Sequence, residues 1–353
     1  MLYNTSVEAI NRDLINAENI KALLEEPSLQ KAAELLRAGE VVAFPTETVY
    51  GLGADALNPR AVERIFQAKG RPRDNPLIIH IADKEELQEL IKGELSCRGE
   101  KLISAFWPGP LTIILEKSSE VPPETTAGLD SVALRMPSHP VARVLIKLCR
   151  RPLAAPSANS SGYPSPTRAR HVLNDLEGKI PLIIDGGPCP VGVESTVVDI
   201  RDEEINILRP GGIPEEELER VLGYTPRQSG TVGKDETPAS PGLKYRHYSP
   251  TTPLIIYNRN HSKQLTAFLK QHRDKKKVFI ICDETDISDP GTNFEIVRMG
   301  PRADTDLIAH RLFHLLRSAD KEENDLILIE KLPAAGLGKT IMNRLYKAAA
   351  DEI

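Results

Sequence analysis

Lys69, Arg71, Arg73 and Asn75 fall within KGRPRDN, a short stretch between two apolar segments. Three cations and an amide in a proline-stiffened loop suit a polyanion, because ammonium and guanidinium groups make strong charge-assisted hydrogen bonds to phosphate oxygens. Upstream, PTETVYGLGADA (45–56) follows the apolar run EVVAF (40–44). That order puts threonine hydroxyls and glycine backbone at a strand edge, where a ligand can reach them. Two more arginines stand where strands meet loops: Arg135 ends SVALR, and Arg209 precedes Pro-Gly-Gly. Either stretch alone also reads as a turn or a solvated basic loop. Their combination, in this order, is more specific.

These residues need elements to place them. SLQKAAELLRAGE predicts a helix with Ser28 as N-cap and Gly39 closing its end. Strand 40–44 follows. PRAVERIFQAKG (59–70) predicts a second helix, with Pro59 in its first turn and Gly70 past its end. LIIHI (77–81) reads as a strand. Further helices are expected near 84–92, 98–106, 139–149 and 214–222, and strands near 111–116, 131–135, 153–156, 181–184, 195–199 and 205–208. Short strands mixed with helices indicate an α/β domain with a mixed sheet. Residues 223–253 turn polar and rich in Gly, Pro, Ser and Thr, the composition of a linker. Beyond it, PLIIY, KKVFIIC, FEIVRM and NDLILIE alternate with helices expected near 261–272, 303–318 and 340–350. That is a small, doubly wound, Rossmann-like domain. Its first strand lacks a following G-x-G-x-x-G, so dinucleotide binding is unsupported. The expected boundaries are 1–222, 223–253 and 254–353.

Composition narrows the class. The chain has 353 residues, 40% hydrophobic and 27% charged, with a net charge of −5. That is enough for two domains and argues against charge-driven binding to nucleic acid, a local basic face aside. No apolar run approaches the ~20 residues of a membrane span, and no secretory signal is visible at the N-terminus. The four cysteines, at 97, 149, 189 and 282, form no C-x-x-C pair. Isolated thiols fit a reducing cytoplasm. The histidines show no paired spacing with carboxylates, so no protein-held metal is expected.

The motifs continue through FWPGPLT (106–112), ALRMPSHP (133–140), SANSSGYPSPT (157–167), GVESTVVD (192–199), ILRPGGI (207–213) and SPGLKYRHYSP (240–250). Together they resemble the YrdC-like family, and within it the long, two-domain threonylcarbamoyl-AMP synthases. The resemblance implies a twisted mixed-sheet YrdC-like domain followed by a smaller Rossmann-like domain. It also implies a reaction joining L-threonine, bicarbonate or carbon dioxide, and ATP into threonylcarbamoyl-AMP and pyrophosphate, a nucleotidyl transfer that serves tRNA modification. Lys69 and Arg71 are then the catalytic cations. Arg71, Asn75, Ser131, Ser157, Ser165, Arg209 and His247 line the ATP site. Thr48, His80, Arg135, Ala155 and Ser195 line the threonine site, with Arg135 facing the substrate carboxylate. Magnesium is expected with ATP, held mainly by phosphates. The implied partner is the downstream tRNA threonylcarbamoyltransferase complex, with weak contact to tRNA itself.

Some residues carry two readings. His80, inside an apolar strand, alone reads as a satisfied core histidine. The cluster KYRHY (244–248) reads either as interdomain packing or, as the resemblance implies, as a lid over the nucleotide. GLGKT (336–340) resembles the end of a phosphate-binding loop, but Pro333 stands where the pattern needs its first glycine, so a glycine-rich helix start is the better reading. Two other functions compete: an RNA-binding module, weakened by the negative charge, and a carbamoyl transferase, whose additional domains are lacking.

Overall fold

Asn58 opens the helix Pro59–Lys69 by accepting hydrogen bonds from the Arg60 and Ala61 amides, and Pro59 fills its first turn. Gly70, at φ 60°, closes it in the left-handed region, where a side chain is disfavoured. The chain therefore leaves the helix immediately after Lys69, and the basic loop begins there. The helix Pro27–Arg37 also forms, but Ser28 is not its cap. Pro27 takes the first helical position and Glu26 the cap, because proline's fixed φ and missing N–H suit that position.

The computed structural model describes residues 3–228, 248–287 and 293–353. It separates into two units: Met1–Ser161 with Ser165–Tyr245, and Gly162–Pro164 with Arg246–Ile353.

The first unit holds eleven described strands. In chain order they are β1 (Ser6–Ala9), β2 (Val42–Phe44), β3 (Gly51–Asp55), β4 (Ile78–His80), β5 (Leu111–Glu116), β6 (Ser131–Arg135), β7 (Leu153–Ala154), β8 (Leu182–Asp185), β9 (Thr196–Asp199), β10 (Asn206–Arg209) and β11 (Arg227–Gln228). Their order across the sheet is β1-β8-β2-β3-β7-β4-β6-β5-β9-β10-β11. Parallel pairs (β1 with β8, β4 with β6, β5 with β9) occur beside antiparallel ones (β2 with β3, β5 with β6, β9 with β10), so the sheet is mixed.

The β3 strand was not expected, since glycines weaken strands. Its glycines are required by close packing. A Cβ on Gly53 would stand 2.5 Å from the Phe44 ring, and one on Gly51 would stand 3.3 Å from the Ala155 Cβ. The helix Ala169–Leu176 also escaped the sequence reading.

The two faces of the central strands differ. Ile79, Ile113, Leu134 and Val198 belong to a large buried core. Their neighbours Ile78, Ile114, Ala133 and Val197 form only a small apolar cluster on the opposite face. Side chains alternate along a strand, so His80, Thr112 and Arg135 share that second, thinly packed face.

The second unit has five parallel strands, β12 (Leu254–Tyr257), β13 (Lys277–Cys282), β14 (Phe294–Gly300), β15 (Leu326–Glu330) and β16 (Asp351–Glu352), in the order β14-β13-β15-β12-β16. Helices Ser262–Gln271, Thr305–Ala319 and Leu337–Ala348 connect them. GLGKT begins the last of these. A Cβ on Gly338 would meet the Pro333 carbonyl oxygen at 2.1 Å, so the glycine serves close backbone approach at a helix start. Tyr163 joins this unit: its hydroxyl donates to Asp320, and the Arg317 guanidinium lies 4.7 Å above its ring. Tyr248, the last residue of KYRHY, stacks on Phe313 at 5.4 Å.

Candidate active site

Register assembles the site. His80 on β4 stands opposite Arg135 on β6, and Arg135 stands opposite Thr112 on β5. Directly paired residues share a face, so an imidazole, a guanidinium and a hydroxyl form one row across three strands. Ser131 lies on the same face of β6, four residues before Arg135 and opposite Glu116. Ala155 follows β7 and donates its N–H to the Ile78 carbonyl at 3.0 Å.

Ser195 extends the row. Its hydroxyl lies 2.7 Å from that of Thr112. Arg209 reaches it from the end of β10, with Nη2 3.0 Å from the Ser195 carbonyl and 3.2 Å from its Oγ. The Pro-Gly-Gly turn permits this. A Cβ on Gly211 would fall 2.2 Å from the Ser195 carbonyl carbon, so only glycine lets the turn lie against that segment. Next to Ser195, Glu194 accepts a 2.5 Å hydrogen bond from Ser165 Oγ.

On the other side, the Thr-Glu-Thr turn after β2 is wholly buried. Thr46 and Thr48 hydroxyls meet at 2.8 Å, and Thr46 Oγ1 donates to the Val49 carbonyl at 2.7 Å. Between them Glu47, 4% exposed, places a carboxylate oxygen 2.8 Å from Nη2 of Arg135, itself 4% exposed. The two charges touch without the alignment of a hydrogen bond, and neither Glu47 oxygen accepts one from any described residue. Burial, helped by the Arg135 charge, pushes His80 down to about 3, so its imidazole is neutral at physiological pH. Burial likewise lowers His139 to about 4, against the pull of the Glu47 charge.

The basic loop is tied to the serine loop. Lys69, buried at its helix end, donates to the Ser157 carbonyl and, at 2.5 Å, to that of Asn159. Ser157 Oγ donates to Asn159 Oδ1 at 2.5 Å. Arg71 is buried and braces its own loop through the Asn75 and Pro76 carbonyls, at 3.2 and 3.1 Å. Asn75 is also buried, and its Oδ1 has no hydrogen-bond partner among the described residues.

The row thus contains His80, Arg135 and Ser195 and is bordered by Thr48, Ala155 and Arg209. Lys69, Arg71, Asn75 and Ser157 form the second cluster. Arg73 does not join it: its side chain is 76% exposed and pairs with Glu63 on the preceding helix at 2.5 Å. His247 lies outside the described residues, as do Lys244, Tyr245 and Arg246. Sequence reasoning missed Glu47, Thr112, Glu194 and Asn159. All four sit inside motifs already singled out, beside residues that were named, but cross-strand register is what brings them together.

The comparisons now bear on this geometry. Residues 34–211 match the Sua5/YciO/YrdC family, described as "Telomere recombination", which defines the class of the sheet carrying the site. Residues 213–350 match a second family, "Threonylcarbamoyl-AMP synthase, C-terminal domain". The chain is 47% identical to the threonylcarbamoyl-AMP synthase of Pyrococcus abyssi, over 95% of this chain and 98% of that one. It is 46% identical to the Bacillus subtilis threonylcarbamoyl-AMP synthase, over 93% and 94%. The crystal structure of P. abyssi Sua5 complexed with L-threonine superposes with a TM-score of 0.85 at 43% identity, covering 99% of each chain. The chain belongs to the threonylcarbamoyl-AMP synthase family.

Proposed function

We infer that this chain condenses L-threonine, bicarbonate or carbon dioxide, and ATP to threonylcarbamoyl-AMP and pyrophosphate, and so supplies the threonylcarbamoyl group for tRNA modification. The observation that carries this is the end-to-end likeness to a threonine-bound structure, with two-domain relatives of the same activity at 46–47% identity.

The amino group of threonine captures the one-carbon unit as a carbamate. A carbamate oxygen then attacks the α-phosphate and pyrophosphate departs, which makes the enzyme a nucleotidyltransferase. Such a step needs little covalent help. It needs two anions aligned and their charge offset. In this reading Arg135, beside neutral His80 and the hydroxyls of Thr48 and Ser195, receives threonine, with Ala155 backbone at the border. Arg71, Arg209 and Lys69 face the nucleotide, and Ser131, Ser157 and Ser165 complete that side. The open Oδ1 of Asn75 supports a nucleotide ligand there, because a buried acceptor calls for a donor such as a ribose hydroxyl or the adenine amino group. Among the described residues no group of three or more His, Cys, Asp or Glu side chains is placed to hold a metal. Magnesium would therefore arrive on the ATP phosphates and contribute charge there. A tRNA threonylcarbamoyltransferase complex in the cytoplasm is the receiving partner.

Pyrophosphate release, measured with and without threonine and bicarbonate, tests this. Release that requires all three substrates, with threonylcarbamoyl-AMP identified by mass, is the expected result. ATP turnover indifferent to threonine would overturn it.

A further inference from the structure

Glu47 is the residue of the site that the reaction above leaves unused, and its surroundings are unusual. A carboxylate almost fully removed from water normally collects several donors. Glu47 has none from the described residues: both oxygens are buried and accept no hydrogen bond, and the only charge in contact is Arg135 at 2.8 Å. That guanidinium nitrogen is likewise without a hydrogen bond. The Glu47 backbone is nonetheless fixed, since its carbonyl accepts the Val191 N–H at 2.8 Å and the next carbonyl, of Thr48, accepts the Gly192 N–H at 3.1 Å. A held backbone with an unsatisfied anion, set against a guanidinium whose Nε is held by the Gly109 carbonyl at 3.4 Å while its Nη2 has no hydrogen-bond partner among the described residues, is a receptor for a ligand bearing both charges on neighbouring atoms.

An α-amino acid is such a ligand. Resting on the threonine reading above, we propose that Glu47 is the acceptor for the substrate's α-ammonium, as Arg135 is the donor to its carboxylate. In the free protein the two side chains neutralise each other across the gap. The zwitterion enters between them and exchanges one poorly aligned ion pair for two aligned ones, so neither charge is ever buried alone. This makes the site selective for a free amino acid over a hydroxy acid of the same shape. It also aims the substrate nitrogen, the atom that must meet the one-carbon unit.

Calorimetric titration with three probes tests the assignment: L-threonine, 3-hydroxybutyrate, which lacks the amine, and threoninol, which lacks the carboxylate. The wild type should bind threonine about 10- to 100-fold more tightly than 3-hydroxybutyrate, the worth of one charge-assisted hydrogen bond. Glu47→Gln should weaken threonine and threoninol by a similar factor and leave 3-hydroxybutyrate unchanged. Glu47→Asp, which keeps the charge, should recover part of the loss. Equal weakening of threonine and 3-hydroxybutyrate by Glu47→Gln would mean that Glu47 only orients Arg135, and the proposal would be wrong while the threonine site stood. If Glu47→Gln does not fold, equal affinity of the wild type for threonine and 3-hydroxybutyrate sinks the proposal without a variant. Wild-type protein that binds no threonine in the presence of ATP would remove the functional reading itself, and this proposal with it.

Discussion

Each unit sets a buried glutamate against an arginine near the end of a strand, and the two contacts are built differently. In the second unit Glu330 ends β15 with no exposure. It accepts hydrogen bonds from the Cys282 N–H at 2.8 Å and from Thr285 Oγ1 at 2.9 Å, besides pairing with Arg302. In the first unit Glu47 meets Arg135 and nothing else among the described residues. A buried charge is tolerable when hydrogen bonds satisfy it. The Glu330 carboxylate is satisfied by its own protein and ties the strand ends together, although Arg302 Nε has no hydrogen-bond partner among the described residues. The Glu47 pair carries capacity the fold does not use. If the proposal for Glu47 holds, identical side chains serve structure in one place and recognition in the other, and the satisfaction of the carboxylate tells them apart.

Experiments can press on that contrast. Its largest expected effect is at the satisfied Glu330 carboxylate. Glu330→Ala leaves a buried N–H and hydroxyl without an acceptor and should destabilise the second unit by about 3–5 kcal/mol. Faster hydrogen exchange along Leu326–Glu330, with threonine affinity unchanged, is the expected readout. Unaltered exchange there would erase the distinction. In the first unit the response should be in rate. Arg209→Ala and Arg71→Ala, each still folded by circular dichroism, should lose about 2–4 kcal/mol of transition-state stabilisation, read as kcat/KM for pyrophosphate release. Normal turnover by either variant would take that residue out of the nucleotide site. The finest test concerns the hydroxyl end of the ligand. Valine should be rejected strongly, because it lacks the hydroxyl through which threonine would hydrogen-bond to the site, whereas serine, short of one methyl, should lose only about 1–3 kcal/mol. Comparable turnover of valine and threonine would separate Thr48 and Ser195 from the substrate.

Much of this was legible in the sequence, and the omissions have physical reasons. The helix Pro59–Lys69 and the strands of the second unit announce themselves through proline and glycine punctuation and through apolar runs, which are local signals. The β3 strand was hidden because Gly51 and Gly53 read as a loop until Phe44 and Ala155 are seen pressing on them. Ser28 lost the cap to Glu26, because Pro27 suits the first helical position and starts the helix two residues earlier. In the site, residues were recognisable by type, but their partnerships were not. Nothing local says that Arg73 turns outward to Glu63 while Arg71 turns in, or that Thr112 lies between Arg135 and Ser195. The first depends on how the loop folds back on its helix, and the second on register between strands far apart in sequence.

The close approach of Gly211 to Ser195 has a consequence for how the molecule is made. A polypeptide leaves the ribosome N-terminus first, and the row begun by His80 on β4 is completed only when Ser195, Arg209 and the turn at Gly211 have emerged. Until then the row stops at Thr112, although β8, which precedes Ser195 in the chain, can already lie between β1 and β2. On the proposed reading, a message cut short before codon 211 yields a product without the turn that lies against Ser195, and pyrophosphate release by that product should be lost.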